Sequence, residues 1–155
     1  MSMRNKLTRL FVLLLAAFLV LGACTAFAAG RDEPTAEPVP TPGPMDAAQE
    51  LVDYLDEHGE LPENFIRKRD AELLGWKTQY RYVSDLGAGK AIGGDYFDNY
   101  EEQLPVVKGR KYYEADCYYL SGPRNAYRLI YSNDGHYYYT GDHYETFEEL
   151  FPSKK

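Results

Sequence analysis

Two acidic and two basic side chains are predicted to share one face of a β-hairpin in the C-terminal half of the chain. In the β-favouring segment 111–119, alternation puts Glu114 and Asp116 on the same face. The Ser-Gly-Pro loop that follows turns the chain back and pairs residues whose numbers sum to about 244, which adds Arg124 and Arg128 to that face. Such a group is either a cross-strand ion-pair network that holds the sheet together or a local polyanion site, and the spacing alone leaves both open.

Other residue types that could do chemistry give weaker signals. The histidines His58, His136 and His143 are not spaced as zinc ligands and the chain has no paired Cys, so no metal or other cofactor is expected. Spacing alone predicts His143 to be a surface residue. The glycine-rich stretch 87–94 lacks the Lys-Ser/Thr ending of a phosphate-binding loop.

The elements that must position these residues are predicted helices followed by strands. Asp46 is predicted to cap a helix that carries an apolar stripe as far as Leu55 and ends at Gly59, and a second short helix is predicted over 69–74. The tripeptide 133–135, Asn-Asp-Gly, predicts a hairpin turn. The β-favouring segments are 91–96, 111–119, 126–131, 136–140 and a short piece near Phe147. This order predicts an α+β domain in which N-terminal helices pack on one antiparallel sheet.

The chain is long enough for one ordinary core and is acidic. It has 155 residues, of which 45% are apolar, and 17 Lys plus Arg against 24 Asp plus Glu give a net charge of −7. Nonspecific attraction to nucleic acid or to an anionic membrane is therefore not expected.

The first 23 residues are predicted to be an export signal. Three basic residues precede an apolar run over 10–21, which is shorter than the roughly 20 residues that span a bilayer. Residues 21–24, Leu-Gly-Ala-Cys, look like a bacterial lipobox that would leave a lipid on Cys24, whereas 26–28, Ala-Phe-Ala, offer an ordinary cleavage site. The product is predicted to be extracellular, either secreted or tethered to the outer face of the cell membrane.

The mature chain is predicted to have two parts. Residues 24–44 are rich in Pro and form either a tether or a pro-segment, and the folded domain is expected to occupy 45–155. The only other Cys is Cys117, which lies on the predicted core face and is interpreted as a small buried hydrophobe.

An ordered set of short motifs lies between residues 46 and 150. It comprises Leu61-Pro62-Glu63-Asn64, Leu74-Gly75-Trp76, Ile92-Gly93-Gly94-Asp95, Glu114-Ala115-Asp116, Ser121-Gly122, Arg124-Asn125, Tyr131-Ser132 and Asp142-His143-Tyr144. No single motif is diagnostic, but the ordered set is highly specific and resembles the secreted bacterial guanyl-preferring ribonucleases of the barnase type. The resemblance implies the microbial ribonuclease fold and turns the charged cluster into an expected active site.

The resemblance also implies a role for each residue of that site. Glu114 stands at the position of the catalytic base and His143 at that of the general acid, while Lys68, Arg124 and Arg128 stand where the scissile phosphate is held. RNA cleavage without a metal needs a base for the 2′-hydroxyl proton, an acid for the leaving 5′ oxygen and cations for the charge that develops on phosphorus. Such an arrangement implies a 2′,3′-cyclic phosphate that is then hydrolysed, and DNA, which lacks the nucleophile, is not expected to be a substrate.

A guanine site is implied by the same resemblance. Asn99 and the backbone around Asp98 and Tyr100 would bind the base, and the Glu101 carboxylate would accept its N1 and N2 protons. Two aromatic residues would help to form the pocket, Phe97 and Tyr144. Single-stranded RNA is the expected partner.

This sequence departs from the family pattern at places that affect binding. Tyr100 stands where an Arg is expected, Asp98 replaces a small hydroxyl residue, and residues from Met45 onward carry 13 Lys plus Arg against 21 Asp plus Glu, a net charge of −8. Long-range attraction of RNA and capture by a barstar-like inhibitor protein are therefore expected to be weaker than in basic relatives. The competing interpretation from another class is an acidic binding module, tethered to the membrane, that keeps the fold but has lost catalysis.

Overall fold

The computed structural model describes residues 42–153, so the predicted export signal and most of the Pro-rich segment lie outside the described residues. The elements in chain order are α1 (Pro44–His58), β1 (Phe65–Ile66), α2 (Lys68–Leu73), a short 3₁₀ helix (Val83–Leu86), β2 (Ala91–Phe97), β3 (Tyr112–Asp116), β4 (Arg128–Ser132), β5 (Tyr137–Thr140) and β6 (Glu148–Leu150). The predicted α+β fold is confirmed. Within residues 42–153, no helix has both the length and the hydropathy needed to cross a membrane.

Helix α1 begins earlier than the sequence pattern indicates. Its N-cap is Gly43 and Pro44 follows at the first helical position, so the expectation that Asp46 caps the helix is wrong. Asp46 instead sits one turn inside, where its Oδ2 accepts the Gly43 N–H at 2.8 Å and its charge favours the N-terminus. The helix ends as predicted at Gly59, whose φ of 73° is the left-handed conformation that glycine adopts without steric cost.

The six strands form one open sheet in the order β1-β2-β3-β4-β5-β6. Strands β2 to β6 are antiparallel, as expected, and the two-residue strand β1, which the sequence pattern does not predict, pairs with β2 in parallel. The β3–β4 register places Glu114 opposite Ile130 and Asp116 opposite Arg128. Both pairs sum to 244, so the predicted register and the sharing of a face are confirmed.

The two faces of the sheet bury different side chains. Toward α1, the odd-numbered strand residues Ala115, Leu129 and Tyr137 pack against the apolar stripe of the helix, and Cys117 is buried with them. Burial raises the pKa of the Cys117 thiol to about 12, which keeps it protonated, as a small hydrophobe should be. The opposite face carries a second apolar cluster of Leu104, Tyr112, Ile130 and Tyr138 beside the charged residues. This second face is the floor on which the site is built.

Candidate active site

Glu114 is the centre of the charged cluster. It lies in β3 with only 5% of its surface exposed, and both carboxylate oxygens are hydrogen-bonded, one to the Lys68 Nζ and the other to the Tyr144 hydroxyl. Burial pushes the pKa of Glu114 upward, but the hydrogen bonds from Lys68 and Tyr144 and the charges of Lys68 and Arg124 outweigh it, so the pKa lies below that of an ordinary glutamate. Lys68, Tyr144 and Arg124, rather than Arg128, therefore keep this carboxyl group ionised.

Lys68 reaches the carboxylate because the sheet anchors the start of its short helix. The backbone N–H of Lys68 donates to Asp95 Oδ2 at 2.9 Å, which satisfies a free donor at the first turn of α2. Asp95 is brought there by an irregularity in the β2–β3 pairing between Gly93 and Asp95. Gly93 is required at that point, since a Cβ there would lie 2.6 Å from Phe65 Cδ1.

Asp116 holds the two arginines at different depths. Arg124 grips it with two bonds, Nε to Oδ2 at 2.8 Å and Nη2 to Oδ1 at 2.6 Å, and also faces the cleft. Arg128 is only 2% exposed, with its Nε 3.1 Å from Asp116 Oδ1 and its Nη1 donating to the Tyr127 carbonyl at 2.7 Å. The structure therefore places Arg128 beneath the cleft, outside the residues that line it.

His143 stands on a tightly built loop after β5. His143 and Tyr144 both have positive φ, 61° and 75°, which is costly for residues with a side chain and must be imposed by their surroundings. The Thr140 hydroxyl donates to Asp142 Oδ1 at 2.9 Å and accepts the Tyr144 N–H at 2.9 Å. Asp142 also accepts the Thr146 hydroxyl at 2.6 Å and the Thr146 N–H at 3.0 Å. The side-chain hydrogen bond from Thr146, followed by its backbone bond, lowers the pKa of Asp142 to about 2.

Asp142 and its two threonines position this loop, a role that is not predicted above from the sequence. The signal was present, because an Asp flanked by hydroxyl residues is typical of a turn in which the carboxylate accepts nearby N–H groups. The bond between Tyr144 and Glu114 was also missed, since the two residues are 30 positions apart and no local pattern relates them.

The predicted guanine loop is held in shape by Asn99. Its Nδ2 donates to the Leu104 carbonyl at 2.9 Å and its Oδ1 accepts the Leu104 N–H at 3.0 Å. Asn99 has a φ of 45°, and its carbonyl accepts the Glu102 N–H at 2.9 Å. The side chain and the carbonyl of Asn99 are thus engaged inside the loop, which leaves its backbone N–H to meet a base. Glu101 is exposed and its Oε2 accepts from Gln103 Nε2 at 2.6 Å.

One cleft of about 830 Å³ brings the predicted site together. Ten of the eleven predicted site residues line it, all except Arg128. At one wall Phe97 stacks on Tyr144 with ring centroids 5.5 Å apart, and the centroid of the His143 ring lies 4.7 Å from that of Tyr144. The lining residues are Lys68, Tyr96, Phe97, Asp98, Asn99, Tyr100, Glu101, Gln103, Glu114, Arg124, His143, Tyr144, Glu145 and Phe147.

This arrangement combines groups that can move protons and bind an anion. Glu114 is a buried, ionised carboxylate, and His143 is an exposed imidazole that lines the same cleft. Lys68 and Arg124 are partly exposed and supply positive charge at the surface of the cleft. In the part of the chain that is described, no group of three or more His, Cys, Asp or Glu side chains is arranged to hold a metal ion. The site can therefore bind a phosphate and hold an acid and a base beside it.

Comparison with known proteins agrees with this geometry. A family model described as ribonuclease matches residues 48–150. A ribonuclease of Heyndrickxia coagulans is 46% identical over 100 residues, which are 64% of this chain and 92% of that protein. Ribonucleases of Bacillus intermedius and Bacillus pumilus are each 46% identical over 100 residues, which cover 62% of their own length.

Proposed function

Because the chain belongs to the ribonuclease family of the barnase type, we propose that it cleaves single-stranded RNA on the 3′ side of guanosine without a metal ion. The observation that carries this proposal is the cleft in which Glu114, His143, Lys68 and Arg124 lie together. The identity to known ribonucleases supports the reaction class, and the residues of the cleft support the mechanism.

In the first step, Glu114 takes the proton of the ribose 2′-hydroxyl. The 2′ oxygen then forms a bond to phosphorus as the bond from phosphorus to the 5′ oxygen breaks, and His143 gives its proton to that leaving oxygen. The carboxylate has lone pairs to spare, because an ionised carboxyl offers about four acceptor positions and Lys68 and Tyr144 use only two of them.

In the second step, water opens the 2′,3′-cyclic phosphate with the two roles exchanged. His143, now neutral, accepts a proton from the water, and the protonated Glu114 returns its proton to the 2′ oxygen. Both groups thereby regain their starting states, so one cycle consumes one water and leaves a 3′-phosphate.

The cations stabilise the charge that builds on the phosphoryl oxygens. Lys68 and Arg124 line the cleft and are fixed in advance by Asp95 and Asp116, so little reorganisation is needed when the charge develops. Arg128 lies behind Asp116, and its contact with the phosphate stays a prediction.

Guanine recognition is assigned to the loop that carries Asn99 and Glu101. Backbone N–H groups at Asp98 to Tyr100 donate to the acceptors of the base, and the exposed Glu101 carboxylate accepts its N1 and N2 protons. Phe97 and Tyr144 form the aromatic wall beside this loop, where their stacked rings already lie in contact. Among the bases of RNA, only guanine presents two donors, N1–H and N2–H, on its Watson–Crick edge together with the two acceptors O6 and N7.

The test is cleavage of the dinucleotides GpU and ApU by the purified chain in the presence of a chelator. We expect a 2′,3′-cyclic guanosine phosphate as the first product, and GpU to be cleaved faster than ApU. A chain that binds RNA but releases no cyclic phosphate would be a binding module instead. Activity that disappears with the chelator and returns with a divalent metal would contradict the mechanism.

We also propose that the protein acts outside the cell that makes it. The basic and apolar leader and Cys24 in its lipobox support export, with or without a lipid anchor. Labelling with a radioactive fatty acid is expected to mark the protein and to fail with Cys24→Ser, whereas a free secreted product would carry no label in either form.

Export of a ribonuclease also supports the presence of a barstar-like inhibitor protein in the producing cell. Co-purification of such an inhibitor with this chain from that cell would test this proposal.

A further inference from the structure

Helix α2 and the turn that follows it leave three large apolar side chains in solvent. Leu73 is 78% exposed, Leu74 is 57% exposed and Tyr80 is 84% exposed. The segment is fixed to the domain by other residues, because Ala71 and Trp76 are buried in an apolar cluster. Single exposed apolar residues are normal on a protein, but several on adjoining parts of the surface mark a binding surface.

Backbone hydrogen bonds bring Tyr80 back toward the end of α2. Lys77 and Arg81 exchange two N–H···O=C bonds, each of 3.0 Å, so the residues between them form a tight turn that carries Tyr80. Arg81 Nη1 then donates to the Leu74 carbonyl at 3.2 Å. Gly75, with a φ of 93°, leaves room for this guanidinium, since a Cβ there would lie 2.8 Å from Nη1. The exposed leucines and Tyr80 therefore lie on adjoining segments of the surface.

This part of the chain is basic although the domain is acidic. The segment between β1 and the 3₁₀ helix, residues 67–82, has five Lys plus Arg against two Asp plus Glu, a net charge of +3. The rest of the chain from Met45 onward has eight against 19, a net charge of −11. Three cations of the segment are exposed and lie outside the cleft: Arg69, Lys77 and Arg81.

The acids of the segment only partly offset these cations. Asp70 and Glu72 are both exposed, and Asp70 lines a different groove together with Arg67. Acidic groups elsewhere are screened beyond about 8 Å at physiological salt, so the local positive charge governs contacts at short range. We call the six residues Arg69, Leu73, Leu74, Lys77, Tyr80 and Arg81 the basic apolar patch.

An anionic lipid surface fits this combination of side chains. Leucine side chains and a tyrosine ring can enter the boundary between lipid headgroups and acyl chains. The long stems of Lys and Arg let their charged ends reach the headgroup phosphates at the same time. A strand of RNA would meet the same cations but would leave Leu73 and Leu74 in water. The patch therefore favours lipid over a nucleic acid.

Resting on the export proposed above, we propose that the basic apolar patch docks the domain on the anionic lipid surface of the cell membrane. Lys68 lines the cleft at the start of α2, whereas Leu73 lies more than one helical turn farther along. No residue of the patch lines the cleft, so docking uses none of the groups that hold RNA. The domain is thereby held at the membrane with its site available to substrate.

The test measures partition of the exported chain, residues 24–155, onto lipid vesicles. The chain carries Cys24→Ser so that no lipid is attached to it. One set of vesicles contains equal parts of phosphatidylglycerol and phosphatidylcholine, and the other contains phosphatidylcholine alone. The partition coefficient is expected to be higher on the anionic vesicles by about 5-fold for each cation that meets the surface. Equal partition onto the two kinds of vesicle, or none onto either, would overturn the proposal.

Two pairs of substitutions remove the two components of the patch. Leu73→Ser with Leu74→Ser is expected to lower the partition coefficient on anionic vesicles by at least about 10-fold, as for one leucine left in water. Arg69→Gln with Lys77→Gln is expected to lower it by about 5-fold per charge. All four side chains are exposed, so the fold should be retained.

Two matched pairs outside the patch control this test. Val106→Ser with Val107→Ser removes two neighbouring exposed apolar side chains, and Lys108→Gln with Lys111→Gln removes two exposed cations. Both control variants are expected to partition within about 2-fold of the wild type. Losses equal to those of the patch variants would mean that apolar area and net charge of the whole chain govern binding, and the patch would be wrong.

Trp76 reports whether the patch itself meets the lipid. It is the only Trp of the chain and follows Leu74 by two residues. Bromine on lipid acyl chains quenches indole fluorescence only at short range, so anionic vesicles with brominated chains are expected to quench Trp76 in the wild type. Binding without quenching would show that another surface meets the lipid, and it would overturn the proposal.

These measurements separate failure of the patch from failure of the proposed export and activity. Vesicle binding requires neither RNA cleavage nor a lipid on Cys24, whereas the fatty-acid label and the GpU assay do not depend on the patch. If the patch instead served RNA or a protein partner, the chain would stay unbound on both kinds of vesicle, and the proposal would be wrong.

Discussion

Within the described residues, the active-site cleft and a pair on the sheet surface each bring a carboxylate and an imidazole together, and these two sites differ in nearly everything else. At the sheet surface, His136 Nδ1 lies 3.2 Å from Glu149 Oε1, and both side chains are about 40% exposed. In the cleft, the Glu114 side chain is 6% exposed and is held by Lys68 and Tyr144. By direct contact the surface pair would rank higher than the cleft, because His136 and Glu149 hydrogen-bond to each other.

The comparison shows that burial and neighbouring charges make a carboxylate suitable for proton transfer. An exposed pair is screened by water, and its interaction contributes little to stability. Glu114 is desolvated but kept ionised by its neighbours, and the cleft leaves space for a substrate between it and His143. The predictions that follow test this difference, from the largest expected effect to the smallest.

Removing either proton-transfer group should have the largest effect. Glu114→Gln and His143→Gln are each expected to lower kcat for GpU by about 10²- to 10⁴-fold, the usual worth of a general acid or base. The matched variants Glu149→Gln and His136→Gln change the same residue types in the surface pair and should leave kcat within about 2-fold. Comparable losses in both sets would abolish the distinction between the two sites.

Removing the main cation of the cleft should change both rate and pH dependence. Lys68→Met is expected to lower kcat/KM by about 10²-fold, as for loss of one preorganised electrostatic contact. Its loss also removes the hydrogen bond and the charge that lower the pKa of Glu114, while burial, which raises it, remains.

The pH profile separates these two effects. In the wild type, activity should persist below the ordinary glutamate value of about 4.3 and fall only as pH drops through the lowered pKa of Glu114. In Lys68→Met, the acidic limb should move to higher pH, and Lys77→Met, an exposed lysine outside the cleft, should behave as the wild type. An unmoved limb in Lys68→Met would mean that Lys68 does not set the ionisation of Glu114.

Loosening the His143 loop should have a smaller effect than removing the histidine. Asp142→Ala takes away the acceptor for Thr140 and Thr146, so the left-handed backbone at His143 and Tyr144 loses its support, and kcat is expected to fall by about 10- to 100-fold. KM should change less, because the cations stay in place. Asp142→Asn keeps one oxygen acceptor and should recover part of the lost kcat.

Salt should have the smallest effect. From Met45 onward the chain has a net charge of −8, so RNA gains little from long-range attraction, and the few cations that it meets are those of the cleft. We expect kcat/KM for RNA to fall less between 50 and 200 mM salt, to within about 10-fold, than the 10³- to 10⁵-fold loss typical of six to ten phosphate contacts. A loss in that larger range would show that charge outside the cleft governs binding.

Strand pairing in the hairpin was predictable because side chains alternate strictly along a strand. Glu114, Asp116 and Arg128 fall on one face whenever the numbers of paired residues add to an even number. The short loop between the strands restricts that sum to about 244, the value observed. Details that depend on contacts distant in sequence were not predictable. The parallel strand β1 is two residues long, and the true N-cap of α1 is a glycine, which carries no side-chain signal.

The sequence by itself determined the two helices and the antiparallel strands β2 to β6 in their order, the register of the central hairpin, the acidic charge and, through its ordered motifs, the resemblance to ribonucleases. Only the tertiary structure decided that Glu114 bonds to Lys68 and Tyr144 and that Arg128 lies beneath the cleft. The physical reason is that local sequence patterns reflect the conformation of the backbone, which depends mainly on residues that are near in sequence. Ionisation and depth depend on side chains that approach from distant parts of the chain and exclude water together.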